Sequence, residues 1–202
     1  MAAGGAEPDR GDDARQPVNE AYTYSTVART DVDAVRARLE RAGGVVVGTW
    51  VGAGGIGWWD DEAVLLAGWP DGMPSVDVDG EQLRATARPT SIERLEPGGV
   101  FAHRWFETGA DTWDEFLELS TGAWPAFESA YGATIHGFFR SDDVAPPDAR
   151  VLLITRYPDL TAWERSRGAP RSDRDDVAES GRRFVRRREL TKRSIVRVGT
   201  LR

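Results

Sequence analysis

The sequence has no cysteine among its 202 residues, and this absence excludes several kinds of chemistry. The chain can form no disulfide, use no thiol nucleophile and offer no cysteine ligand to a metal. It also lacks a run of about 18 apolar residues, the minimum for a transmembrane helix. The acidic, Gly/Ala-rich stretch from Met1 to Gln16 lacks the apolar segment of a secretory signal. We therefore expect a cytoplasmic protein.

Histidine and lysine are scarce as well. The chain has two histidines, and Lys192 is its single lysine. Two histidines without cysteine make a poor ligand set for a metal, so we expect no metal and no other cofactor. Three acidic clusters, at residues 60–62, 77–79 and 141–143, lack the spacing of an EF-hand and are typical of solvated loops.

The charge is uneven although the net charge is −7. The segment from Arg165 to Arg202 holds 13 basic and 5 acidic residues, so the rest of the chain is strongly acidic. Attraction between this basic element and the acidic body is one explanation, and nucleic-acid binding through residues 182–188 is the other. We favour the first, with Phe184, Val185 and Leu190 turned inward and the arginines in solvent, and expect neither nucleic acid nor a membrane as partner.

Residues 101–201 show the pattern of one βαββαβ unit. Strand-like runs occupy 101–107, 134–140, 150–157 and 193–201. Between the first two, Trp113, Phe116, Leu117, Ser120, Trp124 and Phe127 recur at helical spacing, and Gly132 is a suitable end for that helix. Pro158-Asp159 predicts the start of a second helical region, which Gly168-Ala169-Pro170 interrupts.

This unit resembles the NIPSNAP-type branch of the dimeric α/β-barrel superfamily. The residues that carry the resemblance are Phe101 to Phe106 with Asp114-Glu115-Phe116, Gly132, Gly137-Phe138-Phe139 and Tyr157-Pro158-Asp159-Leu160. The family has an acid-x-Arg-x-Tyr series on its first strand, in which Arg104 matches the arginine. Ala102 stands where the acid would be, and Phe106 replaces the tyrosine. The resemblance implies a ferredoxin-like fold.

Residues 21–95 read as a diverged copy of the same unit. Strands are predicted at 22–27, 45–51 and 62–68, with a helix between the first two. Trp69-Pro70-Asp71 matches Tyr157-Pro158-Asp159, and Ser91 to Arg94 matches the last strand at Ser194 to Arg197. Residues 71–82 contain Pro74 and Gly80 and are too broken for a regular helix. The first copy is therefore expected to lack or shorten its second helix.

The predicted fold is α+β, with two ferredoxin-like βαββαβ halves closed into one α/β barrel. A four-stranded sheet with helices on one face must bury its other face, and two halves in one chain can cover each other. We expect a disordered tail at 1–19, a first half at 20–97 and a second half at 100–202. A monomer then needs no partner, and a homodimer remains an open alternative.

A glycine-rich stretch, Gly52-Ala53-Gly54-Gly55-Ile56-Gly57, matches the G-x-G-x-x-G pattern of dinucleotide sites. In those sites a helix follows the glycines and its N-terminus binds pyrophosphate. Here Trp58 and Trp59 follow, and then a strand-like run begins. We interpret the stretch as a hairpin loop, which could also form the lip of a pocket.

The candidate catalytic residues are Arg104, His136 and His103. A neutral histidine suits a general base near pH 7, although a hydrogen-bonded core histidine is the alternative for both. The resemblance implies that the face with Arg104 lines the barrel, which would turn His103 towards the helices. His136 is predicted to share a strand face with Phe138.

Tyr24, Trp50, Trp105 and Phe138 are the candidate substrate-binding residues. An aromatic-walled cavity with one arginine suits a flat ligand that carries a negative charge or a carbonyl. By analogy with its fold, the protein is expected to bind a small aromatic or enolic molecule, as a cofactor-independent accessory enzyme of the monooxygenase or cyclase type. The alternative is a non-catalytic interaction or structural protein of the NIPSNAP-like family.

Overall fold

The structure is a computed structural model that describes residues 20–53, 56–74, 78–168 and 175–202. The predicted tail at 1–19 lies outside the described residues. Eight strands and four helices make up the described fold. The strands are β1 (Ala21–Ala28), β2 (Val45–Gly52), β3 (Glu62–Trp69), β4 (Glu81–Arg88), β5 (Val100–Gly109), β6 (Thr134–Ser141), β7 (Asp148–Tyr157) and β8 (Thr191–Leu201). The helices are α1 (Val32–Arg41), α2 (Trp113–Tyr131), α3 (Leu160–Ser166) and α4 (Asp175–Glu189).

Local sequence sets the ends of the helices. Gly132 adopts a left-handed conformation with φ of 60° and ends α2, as its position after the apolar stripe predicts. At α3 the side chain of Asp159 accepts a hydrogen bond of 2.7 Å from the backbone N–H of Ala162. This contact satisfies one of the amides that the first turn of a helix leaves unpaired.

The strands form one closed antiparallel barrel in the order β1-β3-β2-β8-β5-β7-β6-β4. Each half contributes four neighbouring strands in the ferredoxin-like order, β4-β1-β3-β2 and β8-β5-β7-β6. The halves are joined where β2 pairs with β8 and where β4 pairs with β6. The predicted architecture is therefore confirmed.

The helices lie outside the barrel. Helix α1 packs against β2 and β3, while α2, α3 and α4 cover the second half. Among the described residues between β3 and β4, at 70–74 and 78–80, there is no helix. The first half thus lacks a second helix there, in agreement with its proline and glycine content.

The sequence match between Ser91–Arg94 and the last strand is wrong. The fourth strand of the first half is β4, and residues 89–95 form an irregular segment that we call the strap. The charged residues of β4 concealed its alternation, in which Leu83 and Ala85 face the barrel interior. The strap packs through Ile92, which occupies the space that Gly68 leaves; a Cβ at Gly68 would lie 2.6 Å from the Ile92 side chain.

Candidate functional site

The barrel interior is filled by aromatic and aliphatic side chains, and a cavity lies at each end. The lower end is where β1, β2, β5 and β6 begin, and the upper end is where they finish. A cavity of about 240 Å³, the lower cavity, lies under the strap. A wider cavity of about 580 Å³, the upper cavity, opens at the other end.

Strand β5 turns the opposite face to the interior from the one predicted. Phe101 and Trp105 belong to the interior cluster, while Ala102 and Phe106 pack with the helices. Since side chains alternate along a strand, His103 points into the barrel and Arg104 points to the helix layer. The expectation that the Arg104 face lines the barrel is therefore wrong. The bulky residues Phe101, His103 and Trp105 point into the barrel, where they pack against aromatic residues of the first half.

His103 is fully buried at the centre of the barrel. Its Nδ1 lies 3.1 Å from the hydroxyl of Tyr24, and its ring packs edge-on against Trp50 with centroids 4.5 Å apart. Trp58, from the loop after β2, makes a similar contact at 5.0 Å. Burial lowers the pKa of His103 to about 3, so the imidazole is neutral at physiological pH.

Tyr24 is buried beside His103, and its hydroxyl shares a hydrogen bond with the Nδ1 atom of His103. Burial raises the pKa of Tyr24 well above its usual value, and the positive charge of Arg197 opposes this effect. The Nε2 atom of His103 is also buried and has no hydrogen-bond partner among the described residues.

The lower cavity combines apolar walls with a few polar groups. Its walls come from Val47, Leu66, Phe139, Ile154 and the strap residue Leu95. Its polar groups include Tyr22, Arg88 and His136. The strap is fastened by a 2.8 Å hydrogen bond from the Leu95 amide to the carbonyl of Val47.

His136 has one buried ring nitrogen without a hydrogen-bond partner among the described residues. Its ring stacks on Phe101 with centroids 5.8 Å apart, and its buried Nε2 has no partner among the described residues. Burial lowers the pKa of His136; Arg156 and Arg88 lower it further, and Glu128 opposes them. The imidazole is therefore neutral near pH 7 and able to accept a proton.

Arg88 is held in place beside His136. Its guanidinium donates to Glu128 at 2.7 Å and to the carbonyl of Ile135 at 3.1 Å, and it lies over the ring of Trp124. Glu128 also accepts a 2.7 Å hydrogen bond from the Ile135 amide. This network fixes a positive group at the wall of the lower cavity.

A bulge in β6 changes which phenylalanine reaches the interior. The pairing of β6 with β7 shifts register between Ile135 and Gly137, so the alternation skips one position. Phe139 consequently joins the interior cluster, while Phe138 packs under α2 with Phe116 and Trp124. The expectation that Phe138 and His136 share a face is wrong for this reason, and Phe138 does not line either cavity.

The upper cavity is strongly polar. Tyr24, Trp105 and Ile195 line it together with five charged residues, Glu81, Glu107, Arg150, Arg193 and Arg197. Arg150 makes a 3.0 Å ion pair with Glu81 and covers the Trp105 ring at 4.4 Å. Burial raises the pKa of Glu81, and Arg150 and a hydrogen bond to Ser141 oppose this effect.

Arg104 lies in the helix layer close to a second inward-facing arginine, Arg187. Burial and repulsion from Arg104 lower the pKa of Arg187 to about 9. Its guanidinium packs over Phe106 at 4.8 Å and Phe184 at 4.7 Å, which supplies cation–π attraction in place of a carboxylate. Sequence reasoning placed every arginine of this run in solvent, and Arg187 is the exception.

The remaining arginines of α4 are mostly paired. Arg182 and Arg183 contact Glu179, and Arg186 contacts Glu115 at 2.7 Å. Val185 is 55% exposed, so its predicted inward orientation is wrong, whereas Phe184 packs against Phe127 at 5.4 Å. The positive charges of the run are largely used within the protein.

The structure brings four predicted residues together, namely Tyr24, Trp50, His103 and Trp105. His136 lies on the same interior surface but lines the lower cavity, and Arg104 and Phe138 lie outside the barrel. Sequence reasoning missed Trp58, Arg88 and Phe139. Trp58 follows the glycine-rich stretch, of which Gly54 and Gly55 lie outside the described residues, and it belongs to the interior cluster.

The described part of the chain lacks two features. It contains no group of three or more His, Cys, Asp or Glu side chains arranged to hold a metal ion. None of its helices combines the length and the apolar character needed to cross a membrane.

The sequence matches no protein-family model and no curated protein. Several solved structures are similar in fold, among them the following three. An uncharacterised ferredoxin-fold protein from Listeria monocytogenes, related to antibiotic biosynthesis monooxygenases, is 10% identical, with a TM-score of 0.55 over 91% of this chain and 94% of its own. An anthrone oxidase-like protein is 8% identical, with a TM-score of 0.58 over 92% of each chain. A major regulator of staphylococcal pathogenesis is 8% identical, with a TM-score of 0.56 over 89% of this chain and 97% of its own.

These similarities concern the fold alone. The TM-scores of 0.55 to 0.58 show a shared ferredoxin-like architecture, although the sequences are only 8 to 10% identical. The three proteins are described in different terms, as monooxygenase-related, oxidase-like and regulatory, and one architecture hosts them all.

Proposed function

We propose that this chain is a small-molecule-binding α/β barrel whose ligand occupies the lower cavity, with His136 as the group that accepts a proton from it. One observation carries the proposal: the buried Nε2 of His136 has no partner among the described residues, and the histidine lines a partly open cavity of mixed apolar and polar walls under the strap. An apolar pocket with a few convergent polar groups and a histidine of altered pKa is the usual form of a ligand site.

The size of the cavity suggests the ligand class. An apolar cavity of about 150 Å³ is enough to hold benzene, and the lower cavity measures about 240 Å³. A molecule of one substituted ring fits that volume. Phe139 and Tyr22, whose rings meet edge to face at 4.9 Å, offer aromatic contacts. We therefore propose a single-ring phenol or cyclic enol.

The chemistry proposed for the site is deprotonation. The ligand's O–H bond breaks, its proton passes to Nε2 of His136, and the electron pair stays on the ligand oxygen. Arg88 then lies close to the developing negative charge and stabilises it. Such an anion is the starting point for a cofactor-independent monooxygenase or cyclase reaction, and the monooxygenase-related description of one structural neighbour supports that reaction class.

We also propose that the chain is a diverged NIPSNAP-like relative that arose as a tandem repeat, with its halves at 20–97 and 100–202. The equal strand order of the two halves supports the repeat.

The runner-up function is a non-catalytic interaction protein, which the missing acid at Ala102 favours.

The test is a ligand titration that is monitored by NMR. Phenol, 4-methylphenol and 1,3-cyclohexanedione are added to the wild type, to His136→Gln and to Tyr24→Phe, the last being a control whose hydroxyl faces away from the lower cavity. We expect shifts at the His136 ring and at the amides of Gly137 and Phe139. Binding should weaken about tenfold in His136→Gln, which is about 1.4 kcal/mol, and stay unchanged in Tyr24→Phe.

The outcomes separate the alternatives. If none of the three compounds shifts the His136 signals, the lower cavity is not the ligand site. If a compound binds but no oxygen is consumed and no product forms, the non-catalytic alternative gains support.

A further inference from the structure

We propose that the upper cavity is a second binding site, specific for a single-ring molecule with one carboxylate, which Arg197 binds by its guanidinium. The proposal concerns the opposite end of the barrel from the lower cavity and stands independently of what the lower cavity binds. Three observations support it, on Arg197, on the wall beside it and on the surrounding charges.

Arg197 is a half-buried cation without a counterion among the described residues. It lies on β8 directly across from His103 of β5 and lines the upper cavity. Its guanidinium makes no hydrogen bond and no ion pair with any part of the chain that the structure describes. Its charge favours the ionised form of Tyr24, so it lies close to that hydroxyl. A half-buried guanidinium with five donors available is suited to bind a carboxylate through two parallel hydrogen bonds.

An apolar wall lies beside this cation. Ile195 is 50% exposed although it is a large apolar residue, and it pairs across the sheet with Trp105. Trp105 meets Tyr24 edge to face at 5.3 Å. A ligand ring that packs on Ile195 and Tyr24 removes apolar surface from water while its carboxylate reaches Arg197.

The neighbouring charges indicate a ligand with a single negative charge. Arg150 is neutralised by Glu81 at 3.0 Å. Arg193, at the exposed rim, lies across the sheet from Glu107. Arg197 is thus the one lining cation in the described cavity that faces no carboxylate, and Glu107 at the rim repels a second negative charge.

The test compares matched ligands and matched variants of the full chain. Benzoate and phenylacetate are the probes, and benzamide is the neutral counterpart of benzoate. The variants are Arg197→Gln, Arg197→Lys and the control Arg193→Gln, which removes the same charge from the rim of the same cavity. Binding is followed by tryptophan fluorescence and by amide shifts of Trp105 and Ile195.

We expect at least one carboxylate to bind and benzamide to bind at least tenfold more weakly. Arg197→Gln should weaken binding about tenfold, Arg197→Lys less, and Arg193→Gln less than threefold. His136→Gln should leave carboxylate binding unchanged, and phenol should not compete, which keeps this site distinct from the lower one. The proposal is overturned if neither carboxylate binds with a dissociation constant below roughly 10 mM. It is also overturned if the wild type and Arg197→Lys bind benzamide as tightly as they bind benzoate. Circular dichroism checks that Arg197→Lys is folded.

Discussion

The hydroxyl of Tyr24 lies 3.1 Å from Nδ1 of His103, and this contact links the first strand of one half to the first strand of the other. Both side chains are buried, and aromatic rings surround them. This buried environment therefore strongly disfavours the charged imidazole form of His103.

The first prediction concerns the pH dependence of stability. The pKa of His103 falls from its usual 6.5 to about 3 on folding, so the unfolded chain binds more protons between these values. Stability from the neutral His103 is complete above pH 6.5 and is lost as the pH falls towards 3. Between pH 7.5 and 5.5 the free energy of unfolding should drop by about 1.4 kcal/mol from this residue. Urea unfolding of the wild type and of His103→Gln checks it, and an equal pH dependence in both would contradict it.

The second prediction concerns the pKa of His136. Glu128 raises this pKa and Arg156 lowers it, so removing either charge should move it in opposite directions. In Glu128→Gln the pKa of His136 should fall, and in Arg156→Gln it should rise. NMR titration of the His136 ring measures both changes. A shift of the same sign in the two variants would show that His136 does not sense these charges separately.

The third prediction concerns the bulge in β6. A Cβ at Gly137 would overlap the ring of Phe139, which has packed interior neighbours and no room to withdraw. Gly137→Ala should therefore destabilise the fold by about 1–3 kcal/mol. Gly168→Ala is the control, because the nearest atom to its added Cβ is 3.8 Å away. Thermal unfolding compares the two, and equal midpoints would show that the bulge relaxes freely.

The fourth prediction concerns the two inward-facing arginines. Arg187 repels Arg104 and has no carboxylate partner among the described residues, while its ring contacts offset part of the cost of burial. Replacing it with Met keeps much of the apolar contact and removes the repulsion. Arg187→Met should leave the free energy of unfolding within about 1 kcal/mol of the wild type, or raise it. Arg186→Met, which removes two exposed ion pairs, with Glu115 and Glu189, serves as control with a loss of up to about 1 kcal/mol. A loss above that for Arg187→Met would mean that its charge stabilises the fold.

The sequence was sufficient to predict the ferredoxin-like units, because helical spacing in α2 and apolar runs in β5 to β7 depend on local periodicity. The absence of a second helix in the first half also followed from local signals, Pro74 and Gly80. The orientation of β5 could not be read this way, since both of its faces carry bulky residues and both are buried. The face of β6 on which Phe139 lies depends on a bulge, and a bulge cannot be recognised from the alternation of apolar and polar residues in a strand.

The site was harder to predict than the fold. Tyr24, Trp50, His103 and Trp105 were chosen as candidates by residue type alone; the structure brings them together in the barrel interior, and their roles in binding or catalysis stay predictions. Arg88 was missed because its importance comes from a distant partner, Glu128, in the other half. The role that we propose for Arg197 likewise depends on the lack of a counterion among the described residues, which appears only when the neighbouring strands are assembled.

The joins between β2 and β8 and between β4 and β6 have a consequence for how the molecule meets other proteins. The joins pair residues 50–52 with 199–201 and residues 83–88 with 138–141, so these rows of backbone amides and carbonyls are not free for a foreign strand to attach. Cutting the chain between the halves would expose two such rows on each fragment. Reassociation of the two fragments would then compete with pairing to strands of other proteins.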